Sequence, residues 1–170
     1  VIDYEEISSV ANGASHAGLL SLFFVTIILW FAFKNIRVIF FLVLSIVVGL
    51  IITLGLTTII VGQLNLISVA FAVLFIGLSV DYGIQIYSRI LENKNRSENK
   101  TNISEDVKKI SNTLFIASIP SMVGFISFVP TNYVGLSELG IISFIGLIVG
   151  LITNIFFFTS LITFSKTSFR

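Results

Sequence analysis

Five long apolar stretches separated by short polar ones dominate this chain. They run over Ala17–Phe33, Val38–Val61, Leu66–Ser88, Thr113–Val129 and Ser137–Phe164. Crossing a bilayer takes about 20 predominantly apolar residues, within a range of about 17–25. The fourth stretch is short by that measure, so its helix is expected to start upstream, over 104–129. Ser104 is a suitable N-cap there, and Glu105 and Asp106 suit the positive end of a helix. The fifth is long and is expected to tilt or protrude. The pattern predicts an all-α membrane protein, a five-helix transmembrane bundle over 17–165 with a short tail at 166–170. Lys34–Arg37, Gly62–Asn65 and Pro130–Gly135 read as tight links. Glu92–Asn102 reads as a polar loop, in which three Asn-x-Ser/Thr matches are incidental.

Composition narrows the class. The chain has 170 residues, 55% of them hydrophobic and only 11% charged. Its mean hydropathy is +1.04, beyond what a soluble domain of this size uses. The absence of cysteine excludes disulfides and thiolate chemistry, and a single histidine, His16, cannot build a histidine-rich metal site. No metal site, cofactor or nucleic-acid partner is expected. No Walker, Gly-x-Ser-x-Gly or His-Glu-x-x-His motif is present, so an enzyme is not expected. The acidic opening from Val1 carries no signal-peptide pattern and reads as a longer protein entered partway.

The placement of charge says more than its sum of +1. Lys34 and Arg37 follow the first stretch. Arg89, Lys94, Arg96, Lys100, Lys108 and Lys109 lie between the third and fourth, and Lys166 and Arg170 follow the fifth. With five crossings, all ten basic residues fall on one side. The other side holds only acids: Asp3, Glu5, Glu6 and Glu138. The positive-inside rule puts the N-terminus outside and the C-terminus in the cytoplasm.

One acid interrupts the apolar pattern. Asp81 stands inside the third stretch, where a carboxylate costs about 2.5–3.5 kcal/mol or more near a helix centre. At helical spacing Gly77, Asp81, Gln85 and Ser88 share one face. Such a stripe must face protein or water rather than lipid. Gly77 and Gly83 would let neighbouring backbones come close. A carboxylate in low dielectric is disfavoured in its charged form, so it can take a proton from one side and release it to the other. The plainer alternative is an interhelical hydrogen bond that only holds helices together. Ser111, Ser118 and Ser121 lie near one face of the fourth stretch, beside Pro120. They suit packing between membrane helices, with contact to Asp81 as the sharper alternative. Gly146, Gly150 and Asn154 read as a packing face of the fifth stretch.

The run Gly77-Leu78-Ser79-Val80-Asp81-Tyr82-Gly83-Ile84-Gln85 resembles the fourth transmembrane helix of the resistance–nodulation–division (RND) superfamily, in its MMPL-like branch. Asn65-Leu66-Ile67-Ser68-Val69-Ala70-Phe71 and the segment from Ser127 to Gly140 are similar to the N-terminal half of hopanoid-biosynthesis-associated RND transporters. The resemblance covers nearly the whole chain. It implies that the five crossings are helices two to six of twelve, and that residues 1–16 end a periplasmic domain. It implies a proton-motive-force-driven lipid exporter of the bacterial inner membrane, with Asp81 and Tyr82 as the proton relay. Gly77, Gln85, Ser88, Ser118 and Ser121 would support them. The implied partners are a lipid substrate, the second transmembrane half, periplasmic domains and a further copy of the protein. Two other classes compete: a sterol-sensing-like regulatory module that binds lipid without pumping, and an assembly segment of the kind that assists protein export. Asp81 favours transport over both.

The topology is directly testable. Reporter fusions should place Gly62 outside and Asn99 in the cytoplasm; periplasmic activity at Asn99 would refute the charge-based orientation.

Overall fold

The computed structural model describes residues 2–33, 35–60, 66–96 and 103–165. Lys34, the link at 61–65, the loop residues 97–102 and the tail at 166–170 lie outside the described residues, as do the side chains at 104–106. Among the described residues every regular element is helical. In chain order these are α1 (Ile2–Phe33), α2 (Ile36–Ile60), α3 (Leu66–Arg96), α4 (Ile103–Ile126) and α5 (Val134–Ile152). A π-helical segment, Thr153–Phe158, joins α5 to α6 (Thr159–Ser165) without a break.

Four helical stretches are long and apolar enough to cross a membrane: Ile36–Ile60, Phe71–Glu92, Val107–Ile126 and Val134–Ser165. Within α1 the described apolar stretch, His16–Phe31, is shorter, and residues 2–16 continue the same helix. The chain is therefore a multi-pass membrane protein. α3 outruns its apolar stretch, continuing past Ser88 to Arg96, and Arg89 pairs with Glu92 at 2.9 Å along its surface. α4 passes through Pro120 and ends at Ile126. Tight turns follow, with Phe128 N–H donating to Phe125 O and Val129 N–H to Ile126 O. Pro130 has no N–H with which to extend the helix.

α3 is the central helix and touches α1, α2, α4 and α5, with its largest interface on α5. That interface is built from aromatic rings set into glycines. A side chain at Gly146 would overlap the Phe71 ring, and a Cβ at Gly49 would stand 2.9 Å from both Phe75 Cζ and Thr153 Oγ1. Gly83 works the other way round. It admits Leu42 from α2 and Asn154 from the π segment, and a Cβ there would come within 2.5 Å of Leu42 Cδ1 and 3.2 Å of Asn154 Oδ1. With no hydrophobic drive between helices in lipid, close backbone approach at small residues supplies the packing energy.

The widened π turn leaves carbonyls that the regular helix would use. Ser45 Oγ donates to Thr153 O at 3.3 Å, and Thr159 Oγ1 donates to Asn154 O at 3.3 Å. Asn154 is fully buried and its Nδ2 donates to Gly150 O at 2.9 Å.

Gly146→Ala should destabilise the full-length protein by about 1–3 kcal/mol through overpacking, read as a lower melting temperature in detergent. Phe71→Leu should restore part of the loss. An unchanged melting temperature in Gly146→Ala would contradict this packing.

Candidate functional site

The stripe expected from sequence is present on α3. Gly77, Asp81, Gln85 and Ser88 are all exposed along one side of the helix, while Phe75, Ser79, Tyr82, Gly83, Ile86 and Tyr87 are buried on the others. The arrangement follows from the helix angle. With α5 and α2 holding Ser79 and Gly83, residues near half a turn away must point out. Among the described residues no other helix covers Asp81, so the stripe meets no protein within them. Among the described residues no hydrogen bond or ion pair joins Asp81 to a neighbour. Nothing lies within 4 Å of where a Cβ at Gly77 would stand, so the notch at that glycine is also unfilled within the chain.

Depth matters as much as exposure. Asp81 lies eight residues before Arg89, about 12 Å along the helix. It sits well inside the apolar span that runs from Phe71 to Glu92. The end nearest to it carries Arg37 in the first turn of α2, Arg89 seven residues before the end of α3, and Lys108 and Lys109 in the second turn of α4.

Tyr82 turns away from the open side. It is buried, with Ser118 of α4 as its polar side-chain neighbour. Ser118 Oγ in turn donates to Phe115 O at 2.8 Å. The structure therefore brings together Tyr82 and Ser118, both expected at the site, but it joins Ser118 to Tyr82 and not to Asp81. Ser121 is half-buried on α4, and Ser111 Oγ is occupied by Val107 O at 2.6 Å. Ser111 and Ser118 thus bond to their own preceding turns, as a hydroxyl in a membrane helix does most easily.

One residue escaped the sequence reading. Tyr87, buried on the other flank of α3, has Asn35 of the α1–α2 link as its polar neighbour. Its ring meets Phe33 edge-on at 4.8 Å between centroids. In sequence Tyr87 is one more aromatic on an apolar helix, and only the fold reveals its partner.

A carboxylate exposed on a helical bundle at membrane depth, with small and amide residues above and below it, defines the class: a multi-pass α-helical membrane bundle of RND type. The family model for the C-terminal part of the protein export membrane proteins SecD/SecF matches residues 5–168, and the chain belongs to that family. It is 39% identical over 152 residues to the hopanoid transporter HpnN of Burkholderia multivorans (strain ATCC 17616 / 249). It is 37% identical over 152 residues to the hopanoid transporter HpnN of Rhodopseudomonas palustris (strain TIE-1). Each match covers 89% of this chain but only 17% and 18% of the relatives, so the chain spans under a fifth of their length.

Removing either hydroxyl of the neighbouring Tyr82 and Ser118 should be mild. Tyr82→Phe and Ser118→Ala are each expected to cost about 0.6 kcal/mol, the average for such bonds in membranes. The double variant should cost no more than the larger single loss. Additive losses in a thermal melt would show that the two hydroxyls do not act as a pair.

Proposed function

We propose that this chain is the N-terminal membrane half, helices two to six, of a proton-driven RND lipid exporter, and that Asp81 is its proton relay. The observation that carries the reading is the placement of Asp81. It stands at mid-span on an open face, and no cationic residue of the described helices shares its depth. A carboxylate left against lipid is strongly disfavoured, so this face is made to be covered. The natural cover is the matching bundle of a second half, packed against α3 about a pseudo-twofold axis, as internal repeats pack in transporters. Gly77, Gln85 and Ser88 then lie in that seam and support the relay. Tyr82 lends its ring as the neighbour of Asp81, while its hydroxyl serves α4.

Each proton crossing through Asp81 supplies about 2.3 kcal/mol per 100 mV of membrane potential. That energy is spent on conformational change in periplasmic domains outside this chain. The N-terminus lies in the periplasm and the C-terminus in the cytoplasm of the inner membrane. The cargo is a hopanoid or similar polycyclic lipid moved toward the outer membrane; the two relatives named as hopanoid transporters support this choice. A protein-export role is the second reading, favoured by the description of the family model.

Asp81→Asn is the direct test, since the amide fits the site but cannot cycle a proton. It should abolish lipid export in cells while leaving the amount of membrane-inserted protein unchanged. Full export by Asp81→Asn would leave only the packing role. Lipid analysis of separated membranes in a deletion strain tests the cargo. Depleted outer-membrane hopanoids are expected, whereas unchanged hopanoids with impaired secretion of proteins would favour the second reading.

A further inference from the structure

The proton-relay reading puts a change of charge on α3 and leaves open which element moves in response. Behind the open face, two residues on from Asp81, Gly83 is buried against the π-helical segment Thr153–Phe158 that joins α5 to α6. A Cβ at Gly83 would stand 3.2 Å from Asn154 Oδ1. Asn154 is the second residue of that segment and is fully buried. Its Nδ2 donates to Gly150 O at 2.9 Å, one turn back on α5, but its Oδ1 has no hydrogen-bond partner among the described residues. A buried acceptor without a donor is costly and calls for a physical reason.

Packing differs on the two sides of this segment. On the α5 side, the rings of Phe71 and Phe75 fill the spaces at Gly146, Gly150 and Gly49, so that part cannot shift without a clash. On the other side α6 is only seven residues long, packs mainly against α2 and the π segment, and leaves Ser160 and Thr163 exposed. The segment between them is loosely tied. Ser45 Oγ donates to Thr153 O and Thr159 Oγ1 donates to Asn154 O, each at 3.3 Å, longer than the roughly 2.5–3.0 Å usual for a bond from a hydroxyl to an oxygen. Wide turns of this kind are where long helices bend. These carbonyls have two sets of donors: the hydroxyls while the turn is wide, and backbone N–H groups once it closes to a regular helix.

We propose that the π segment is a hinge between α5 and α6, and that Asn154 passes motion of α3 at Gly83 into it. The inference rests on the proton-relay reading of Asp81 and names the element that moves when the relay changes charge. α3 and α5 are locked together at Phe71 and Phe75. A shift of α3 beyond Ser79 is therefore met first at Gly83, by the amide of Asn154 and the flexible end of Leu42. The unpaired Oδ1 leaves that contact free to slide, since no hydrogen bond has to break. A bend of about 20° at Thr153 moves Ser160, about 10 Å further along, by about 3–4 Å.

The test uses the full-length transporter, purified and returned to vesicles, with pairs of spin labels on introduced cysteines at exposed positions. Ile51→Cys on α2 with Ser160→Cys on α6 reports across the hinge, and Ile51→Cys with Ile148→Cys on α5 is the control. Asp81→Asn stands for the protonated carboxylate. It should change the first distance by about 3 Å or more and leave the second within about 1 Å. Two variants close the wide turn. Deletion of the exposed Phe156 removes its extra residue. Ser45→Ala with Thr159→Val removes the two hydroxyls with little change of volume. In either background Asp81→Asn should no longer move the α6 label, and lipid export in cells should fall about tenfold or more, as when a needed conformational step is blocked. If the deletion fails to insert, the paired substitution decides. Proton entry into vesicles loaded with a pH-sensitive dye separates the two readings. If it survives Asp81→Asn, the relay reading falls and this inference falls with it. If Asp81→Asn stops proton entry while both distances stay fixed, or while the labels on α5 and α6 move together, the relay stands and the hinge is overturned. Full export by the paired substitution also overturns it, because a wide turn that serves only packing would give that result.

Discussion

The structure depends on how closely α3 can approach α2 and α5. Rings at Phe71 and Phe75 enter space that exists only because Gly146, Gly150 and Gly49 lack side chains, and Leu42 and Asn154 enter the equivalent space at Gly83. In lipid this close fit replaces the hydrophobic drive that holds a soluble core. It also dictates orientation. Once Ser79 and Gly83 face α5 and α2, the opposite side of α3 must carry Gly77, Asp81, Gln85 and Ser88 outward. The polar stripe is exposed because the apolar and small residues behind it are buried so well.

Much of this was legible in the sequence. Long apolar runs fix helices in a bilayer because no other structure satisfies the backbone there, and the start of α4 upstream of Thr113 followed from Ser104, Glu105 and Asp106. The stripe was legible too, since helical spacing alone aligns residues 77, 81, 85 and 88. Periodicity cannot say which neighbour a face meets. It aligned Ser118 and Ser121 as candidates for Asp81, whereas Ser118 meets Tyr82. It gave no sign of the Tyr87–Asn35 contact, which joins residues 52 positions apart in the chain. Nor did it show the π segment at Thr153–Phe158. That turn depends on donors from Ser45 on another helix and from Thr159 one turn on.

Family and site inform function at different levels. The matched family is described by protein export, while the two relatives at 37–39% identity are named for hopanoid transport. One fold hosting both is ordinary, because function resides in sites and not in folds. The bundle shared by both contains nothing specific to a polypeptide or to a lipid. What it offers is a rigid helix carrying one carboxylate at membrane depth. On the proposed reading, a device of that kind couples proton movement to domains attached to its ends, which assigns the proton chemistry to this segment and the choice of cargo to parts beyond it.

An open carboxylate would be a defect in a free-standing bundle, and the proposed second half would remove that defect. If Asp81 were buried within its own five helices, its partner would be fixed by the same packing that fixes the fold, and a change of charge could only strain that packing. On an interface between two bundles, the same change alters how strongly two rigid bodies attract. Each body can then keep its close-packed interior while the seam between them opens or closes. Among the described residues the division is of that kind: glycines filled by rings behind α3, and an unfilled notch at Gly77 with a carboxylate that no described side chain pairs in front.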